Sequence, residues 1–389
     1  MKAIVLDYSG HLPQADLSKK LSTKSVNVLH LYCTDYITGN ANFSFTPKEN
    51  QLIEFRGVSA DIVFDKYNFS KRLRHEKKIA NKFFQIIREF DPDIIVLSNL
   101  PLLAALILTK KLKFAKIPYV YWWQDVYATA IVTELIARFN QKGLSLPSKI
   151  IYGMERSTLK HAKAVVAISE NFKKQYHDWN LDPRKLFIQP NWSAPEDFID
   201  GPVRTSPLSE PYIIYAGTLG LKHNPQLLIE LADMIAQQDS VTKLVVVSQG
   251  LGRDFLSSPE NLRDNVILKD FLPFDELKNH LFHALAVIAI LEPSASEYSV
   301  PSKVMTYFCA GKAIIAALGP ENQVARYIRD SNSGYVVSTE SANEMAAAAL
   351  ELISGESLRK QMEKNSRKFA IENFSGNKAA DLFIQLFNQ

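Results

Sequence analysis

Val300-Pro301-Ser302-Lys303-Val304-Met305-Thr306-Tyr307-Phe308-Cys309-Ala310-Gly311-Lys312-Ala313-Ile314-Ile315-Ala316 is the stretch that decides how this chain folds. It reads as a helix with Pro301 in its first turn and Gly311 at its end, the asymmetry that helices favour. An apolar strand, Ala313 to Leu318, follows at once. Just upstream, Leu291-Glu292-Pro293-Ser294 closes another apolar run. A polar loop between a strand end and a helix start is where open α/β sheets bind ligands. The N–H groups of such a helix start attract an anion, and Lys303 adds a full positive charge one turn in. This half of the chain is therefore expected to hold a phosphorylated ligand.

Working outward, the same alternation of strand and helix runs the length of the chain. Ile4–Leu6, Val26–Tyr32, Asp93–Ser98, Pro118–Trp123, Ala164–Ser169 and Lys185–Gln189 read as strands. Lys71–Phe90, Pro101–Lys111, Pro147–Ala162 and Glu170–Trp179 read as helices, the first with Leu73, Ile79, Phe83, Ile86, Ile87 and Phe90 on one face. Apolar strands separated by helices imply a mostly parallel sheet covered on both faces. Residues 193–211 break the pattern with Pro195, Gly201, Pro202, Pro207 and Pro211, which marks a linker. The alternation restarts at Tyr212–Ala216, and three helices close the chain. The expected organisation is a first domain over 1–192, the linker over 193–211 and a second domain over 212–370. A final helix over 371–389 is expected to return to the first domain. No internal repeat is evident.

Composition narrows the class. At 389 residues the chain is too long for one ordinary core, and 47% hydrophobic with 22% charged residues is globular, not disordered. A net charge of +4 gives no argument for nucleic acid, and none is expected as a partner. Cys33 and Cys309 cannot form a disulfide framework, and Cys309 reads as a small buried hydrophobe. The apolar run at the N-terminus is too short for a signal peptide, and no run approaches the length of a membrane span. A cytoplasmic setting is the expectation. Spacing within the chain suggests no metal ligands.

These residues resemble the retaining glycosyltransferases of the GT-B fold, family 4 (group 1) in particular. The likeness is carried by several segments. They are Tyr215-Ala216-Gly217-Thr218-Leu219-Gly220, Pro190-Asn191-Trp192, Ile168-Ser169-Glu170-Asn171-Phe172, Phe271-Leu272-Pro273 and the Pro301–Gly311 helix. It implies an α/β fold of two Rossmann-like domains with an interdomain cleft. It also implies transfer of a sugar from a nucleotide-diphosphate sugar, UDP ahead of GDP, to a hydroxyl of a lipid-linked or surface-glycan acceptor, as in polysaccharide and lipopolysaccharide synthesis. The family usually works without a metal and keeps the anomeric configuration, so neither a metal nor another cofactor is expected. Two positions depart from its pattern. Its usual pair of glutamates falls at Tyr298 and Thr306, with Glu297 adjacent to the first. Its usual arginine falls at Thr218, with Lys222 or His223 nearby to supply a charge.

Under this resemblance the departing diphosphate needs electrostatic stabilisation. A backbone cradle at Gly217–Gly220, the helix start at Ser302, and Lys222 and Lys303 would provide it. Gly217, Thr218, Gly220, Lys222, Phe271, Ser299, Ser302 and Thr306 are the donor-binding candidates, with Phe271 near the base. Lys303 is also a catalytic candidate, and Glu297 reads either as a contact to a donor-sugar hydroxyl or as an exposed loop acid. In the first half, Gly10, His11 and Gln124 follow strand ends and are expected to border the cleft. Asp125 is the candidate for orienting or deprotonating the acceptor, unless it caps the next helix. Trp122 and Trp123 point to opposite sheet faces, so at least one belongs to the core.

Lysines and arginines cluster at 71–82 and 110–116. A peripheral contact with anionic lipid at the inner membrane face follows, with Phe83, Phe84 and Phe114 as partial anchors; a solvated helix face explains the same charges. Two further functions compete: a nucleotide-sugar 2-epimerase, which needs several carboxylates and a histidine in the cleft, and a non-catalytic nucleotide-sugar-binding subunit, motivated by Thr218 and Thr306. A dehydrogenase is disfavoured because no Gly-x-Gly-x-x-Gly follows a strand.

Overall fold

A computed structural model of the chain describes residues 1–35, 52–62, 69–139, 145–193, 195–198, 201, 205–220, 223–291 and 303–389. They divide into two units: Met1–Pro190 with Gly376–Gln389, and Asn191–Ser375.

The first unit contains β1 (Lys2–Asp7), α1 (Leu12–Thr23), β2 (Asn27–Cys33), β3 (Ile53–Val58), α2 (Phe69–Phe90), β4 (Ile94–Ser98) and α3 (Leu102–Phe114). It continues with β5 (Tyr119–Trp123), α4 (Tyr127–Phe139), α5 (Ser145–Lys160), β6 (Ala164–Ala167), α6 (Phe172–Asp178) and β7 (Leu186–Ile188). The strands lie in the order β3-β2-β1-β4-β5-β6-β7, every neighbouring pair parallel. The inner strands β4 and β5 are buried along their whole length, because helices cover both faces and every position meets an apolar layer. Strand order reverses between β1 and β4, which makes their C-terminal ends the ligand position of this sheet.

The second unit contains β8 (Tyr212–Ala216), α7 (Gln226–Gln238), β9 (Lys243–Val247), α8 (Leu251–Leu256), β10 (Val266–Lys269), α9 (Phe274–His283) and β11 (Val287–Ile290). After these come α10 (Lys303–Cys309), β12 (Ile314–Ala317), α11 (Gln323–Ser331), β13 (Gly334–Val337), α12 (Ala342–Ser354) and α13 (Glu356–Asn373). Its strands run β10-β9-β8-β11-β12-β13, again all parallel, with the reversal between β8 and β11. Ile213, Tyr215, Val246, Ile288 and Ile315 are fully buried in its core, where α7 and α12 cover one face. Pro301 and Ser302 lie outside the described residues, so the helix of the opening stretch is seen from Lys303. Its end matches the reading: Gly311 is left-handed (φ 63°), its N–H bonds Phe308 O at 3.0 Å, and Lys312 N–H bonds Tyr307 O at 3.1 Å.

The last helix, α14 (Gly376–Asn388), belongs to the first unit. Its Asp381 pairs with Lys24 at 2.6 Å, and its Phe383 ring lies 5.3 Å from the Trp122 ring. Trp123 faces the other layer, 4.9 Å from Phe172 and 5.9 Å from Trp179. Both tryptophans are therefore core, one on each side of the sheet.

Several elements fall outside the sequence expectation, β3 and α1 among them. β3 is an edge strand whose Ile-Glu-Phe-Arg-Gly-Val mixes polar and apolar residues, so it forms no apolar run. Among its described side chains, α1 contributes Ala15, Leu17 and Leu21 to the apolar core, too few for a strong stripe. One expectation is corrected. Phe83 is fully buried, because the apolar face of α2 turns onto its own unit, and it cannot anchor to lipid.

Glu155 of α5 is buried where β5, α4 and α5 meet. It accepts Trp123 Nε1–H at 2.8 Å and the Ala128 N–H at 2.6 Å. Burial pushes its carboxyl up to about 7, against the pull of the Ala128, Trp123 and Tyr127 donors and with a smaller rise from Asp125. The folded chain thus binds this proton more tightly than the unfolded chain, where the carboxyl keeps its ordinary value of 4.5. Stability is expected to fall as pH rises between those values, by at most about 3 kcal/mol. Thermal melts across that window should show this slope in the wild type and lose it in Glu155→Gln; equal slopes in both would refute the raised carboxyl.

Candidate functional site

At the switch point of the second unit, β8 ends in Tyr215-Ala216 and the chain turns at Gly217. The Lys303 side chain crosses that turn. Its ammonium donates to the Tyr215 hydroxyl at 2.5 Å and lies 3.9 Å from the centre of the Tyr215 ring. The Tyr215 hydroxyl donates in turn to Thr218 O at 3.0 Å. Gly217 has φ 130°, and a Cβ there would stand 2.9 Å from Lys303 Cε. Only glycine leaves room for the lysine and accepts that backbone.

Tyr307 fixes where the lysine starts. It lies one helical turn after Lys303, on the same face of α10. Its fully buried hydroxyl accepts the Ala216 N–H at 3.0 Å and lies 2.9 Å from Ala216 O and 3.2 Å from Ile288 O. The helix is thereby tied to the end of β8 and to β11. Burial holds the Tyr215 phenol well above its ordinary pKa, with neighbouring Tyr307 adding to the rise, so the hydroxyl stays neutral beside the lysine.

The loop after β8 corrects one expectation. Gly217 N–H bonds Val247 O at 2.9 Å, Leu219 N–H bonds Gln249 O at 3.1 Å, and Gly220 N–H bonds His223 Nδ1 at 3.0 Å. Three of the four amides expected to cradle a phosphate are therefore already paired inside the unit. His223 is buried and closes this turn as an acceptor, so it does not supply the charge considered for it. Thr218 is exposed at the turn. Phe271 follows β10 and is 36% exposed. Thr306 Oγ1 lies 3.5 Å from Ser193 Oγ, so a hydroxyl pair stands where the family pattern has a carboxylate. Lys222, Glu297, Ser299 and Ser302 lie outside the described residues.

The first unit places a different set at its own switch point. Asp7, the fully buried last residue of β1, accepts Ser9 N–H at 3.3 Å, Asn99 Nδ2–H at 2.9 Å and the His11 N–H. Asn99 follows β4 in a left-handed conformation (φ 56°), and its Nδ2 lies 3.1 Å from His11 Nδ1. Burial alone would lower the His11 pKa, but the Asp7 bond and charge, with Asp125 adding, raise it above the ordinary value. Gly10 (φ 72°) makes the turn that leads to His11. After β5, Gln124 is buried and Asp125 exposed. The Tyr127 and Ala128 N–H groups that open α4 bond Glu155, which does the work of a cap on that helix. Sequence reading singled out Gly10, His11, Gln124 and Asp125 but missed Asp7 and Asn99. The available signal was a polar residue at the end of each switch-point strand.

Both halves of the chain have related sequences. Residues 200–369 match the family of glycosyl transferases group 1, and residues 42–195 match glycosyltransferase family 4. The two matched segments together make the chain a glycosyltransferase, with residues 200–369 in the group 1 family. A curated relative, the poly(ribitol-phosphate) alpha-N-acetylglucosaminyltransferase of Staphylococcus aureus, is 24% identical over 165 residues. That match covers 42% of this chain and 32% of the relative, so the chain spans about a third of that protein's length. Among solved structures, sucrose-phosphate synthase from Thermosynechococcus elongatus aligns with a TM-score of 0.73 at 14% identity, covering 100% of this chain and 98% of the other. HepE from Anabaena in complex with UDP aligns at 0.68 and 14% identity, covering both chains fully. These likenesses place the glycosyltransferase in the GT-B fold, two Rossmann-like domains in one chain.

Gly217→Ala in this glycosyltransferase meets both a forbidding φ and the Lys303 side chain. A destabilisation of about 1–3 kcal/mol is expected from thermal unfolding. Gly153→Ala in α5, where a Cβ meets nothing within 4 Å, is expected to stabilise by about 0.5–1 kcal/mol. Equal effects at the two sites would show that Gly217 is not constrained.

Proposed function

We propose that this glycosyltransferase moves a sugar from a nucleotide-diphosphate sugar to a hydroxyl of a lipid-linked or surface-glycan acceptor, with retention of configuration. The observation that carries this reading is the Lys303 ammonium, held by Tyr215 over Gly217 at the switch point of the second sheet. A departing diphosphate gains negative charge as the glycosidic bond breaks, and a positioned cation favours that transition state more than the ground state. Lys303 is the catalytic residue in this reading, with Thr218, Thr306 and Phe271 around the donor and Lys222, Glu297, Ser299 and Ser302 in the adjoining segments. Gly217 and Gly220 serve by shape, since their amides are paired elsewhere. A diphosphate oxygen takes the acceptor proton, so the reaction needs neither a protein nucleophile nor a metal.

UDP is placed ahead of GDP, supported by the UDP complex of the similarly folded HepE. The acceptor belongs to the first unit, where Asp125, Gln124 and the His11 imidazole stand at strand ends. The relative acting on poly(ribitol-phosphate) supports a polyhydroxyl surface polymer as acceptor. A second reading, binding of a nucleotide sugar without turnover, is favoured by one observation: Thr306 offers a hydroxyl, paired with Ser193, in place of a carboxylate.

Two measurements test the reading. UDP is expected to raise the thermal midpoint more than uridine or GDP does, since stabilisation follows affinity. Lys303→Ala is expected to lower kcat/KM by about 10²–10³-fold with the unfolding midpoint near that of the wild type. Wild-type rates in that variant would remove Lys303 from the chemistry, and donor binding without product across acceptors would favour the binding subunit.

We also propose a peripheral position at an anionic membrane. Phe114 is 92% exposed at the end of α3, and Lys110, Lys113 and Lys116 around it are exposed too. By contrast, Lys78 and Lys82 of α2 pair with Asp61. No helix among the described residues is long and apolar enough to cross a membrane. Charge reversal at Lys110, Lys113 and Lys116 is expected to abolish cosedimentation with phosphatidylglycerol vesicles. Undiminished cosedimentation would overturn the membrane contact.

A further inference from the structure

β2 ends at Cys33, and Asp35 follows two residues later. α2 brings His75 to the same place in its second turn. Cys33 and Asp35 are neighbours in sequence, and the packing of α2 brings the remote His75 to them. The Cys33 sulfur, an Asp35 carboxylate oxygen and a His75 ring nitrogen all lie within 4.8 Å of one another. Cys33 and His75 are fully buried, and the Asp35 side chain is only 14% exposed.

The spacing suits a metal ion. Cys33 Sγ is 3.8 Å from Asp35 Oδ2, and His75 Nε2 is 2.9 Å from the same oxygen. A tetrahedral zinc with ordinary bond lengths sets a sulfur–oxygen edge of about 3.5 Å and a nitrogen–oxygen edge of about 3.3 Å. The surroundings already orient two of the three groups. His75 Nδ1 lies 3.2 Å from the Tyr8 hydroxyl, which can accept the Nδ1–H and leave Nε2 to the metal. Asp35 Oδ1 accepts the Ser59 hydroxyl at 2.6 Å, and Oδ2 accepts the Ala60 N–H at 2.5 Å. Thiolate and imidazole together favour zinc over magnesium or calcium, which take oxygen ligands.

We propose that Cys33, Asp35 and His75 bind one zinc ion at the C-terminal edge of β2 and β3. Binding releases the Cys33 thiol proton and takes the His75 Nε2 lone pair, with the Nδ1–H directed toward Tyr8. The ion joins β2, the segment after it and α2, and a fourth position is left for water. Its residues all belong to the first unit, and its test does not depend on sugar transfer.

Cobalt(II) serves as the spectroscopic probe on full-length protein first dialysed against EDTA. Cobalt is expected to give a thiolate charge-transfer band that saturates at one ion per chain, and zinc should abolish it. The band should persist in Cys309→Ser, vanish in Cys33→Ser and need at least tenfold more cobalt in Asp35→Asn. Excess zinc should also raise the thermal midpoint of the wild-type protein, which needs no variant to fold. Absence of a thiolate band, a band that survives Cys33→Ser, or a wild-type midpoint indifferent to zinc would overturn the site and leave a hydrogen-bonded Cys–Asp–His cluster.

Discussion

A lysine can lie across the end of a buried strand only if the residue at the turn has no side chain. In this glycosyltransferase that residue is Gly217, and the lysine is Lys303. The Tyr307 hydroxyl, bonded to Ala216 and close to Ile288 O, stops α10 from sliding along the strand ends. The stop at Gly311 then turns the chain directly into β12, which pairs with β11. Position of the cation, direction of the helix and order of the sheet are thus one linked constraint. Moving any of them would leave either a buried tyrosine hydroxyl without partners or a charge against the strand backbone, each costly in an apolar interior.

The two units use the same topological position for opposite chemistry. In the second, a cation is held against a neutral tyrosine, suited to negative charge arriving with a diphosphate. In the first, a buried carboxylate at the same point on the sheet holds an imidazole and an amide. Asp7 is fully buried; it fixes the direction of Asn99 and raises the affinity of His11 for a proton. The backbone amides of the second unit's loop are mostly paired internally, so the site proposed there rests on side chains and full charges.

Uninterrupted apolar runs such as Ile94–Ser98 and Ile314–Ala317 were readable as central strands because only a strand buried on both faces tolerates them. The exposed edge strand β3 and the polar helix α1 gave no such signal. The stretch 193–211 reads as a linker by composition but falls within the second unit, while the return of α14 to the first unit rests on contacts such as Phe383 with Trp122. Lys303, Gly217 and His11 could be picked out by their places after strands. Asp7, Asn99, Tyr215 and Glu155 could not, because their roles come from partners remote in the chain.

Local patterning was therefore enough for the α/β alternation, the helix ending at Gly311 and the charge near the second switch point. These follow from periodicity and backbone preference, which act over a few residues. Which amides were already paired, which aromatic held the lysine, and that Cys33, Asp35 and His75 meet at all depended on long-range strand order and packing. Such contacts join residues that adjacency along the chain does not relate, so they exist only once the sheets have formed.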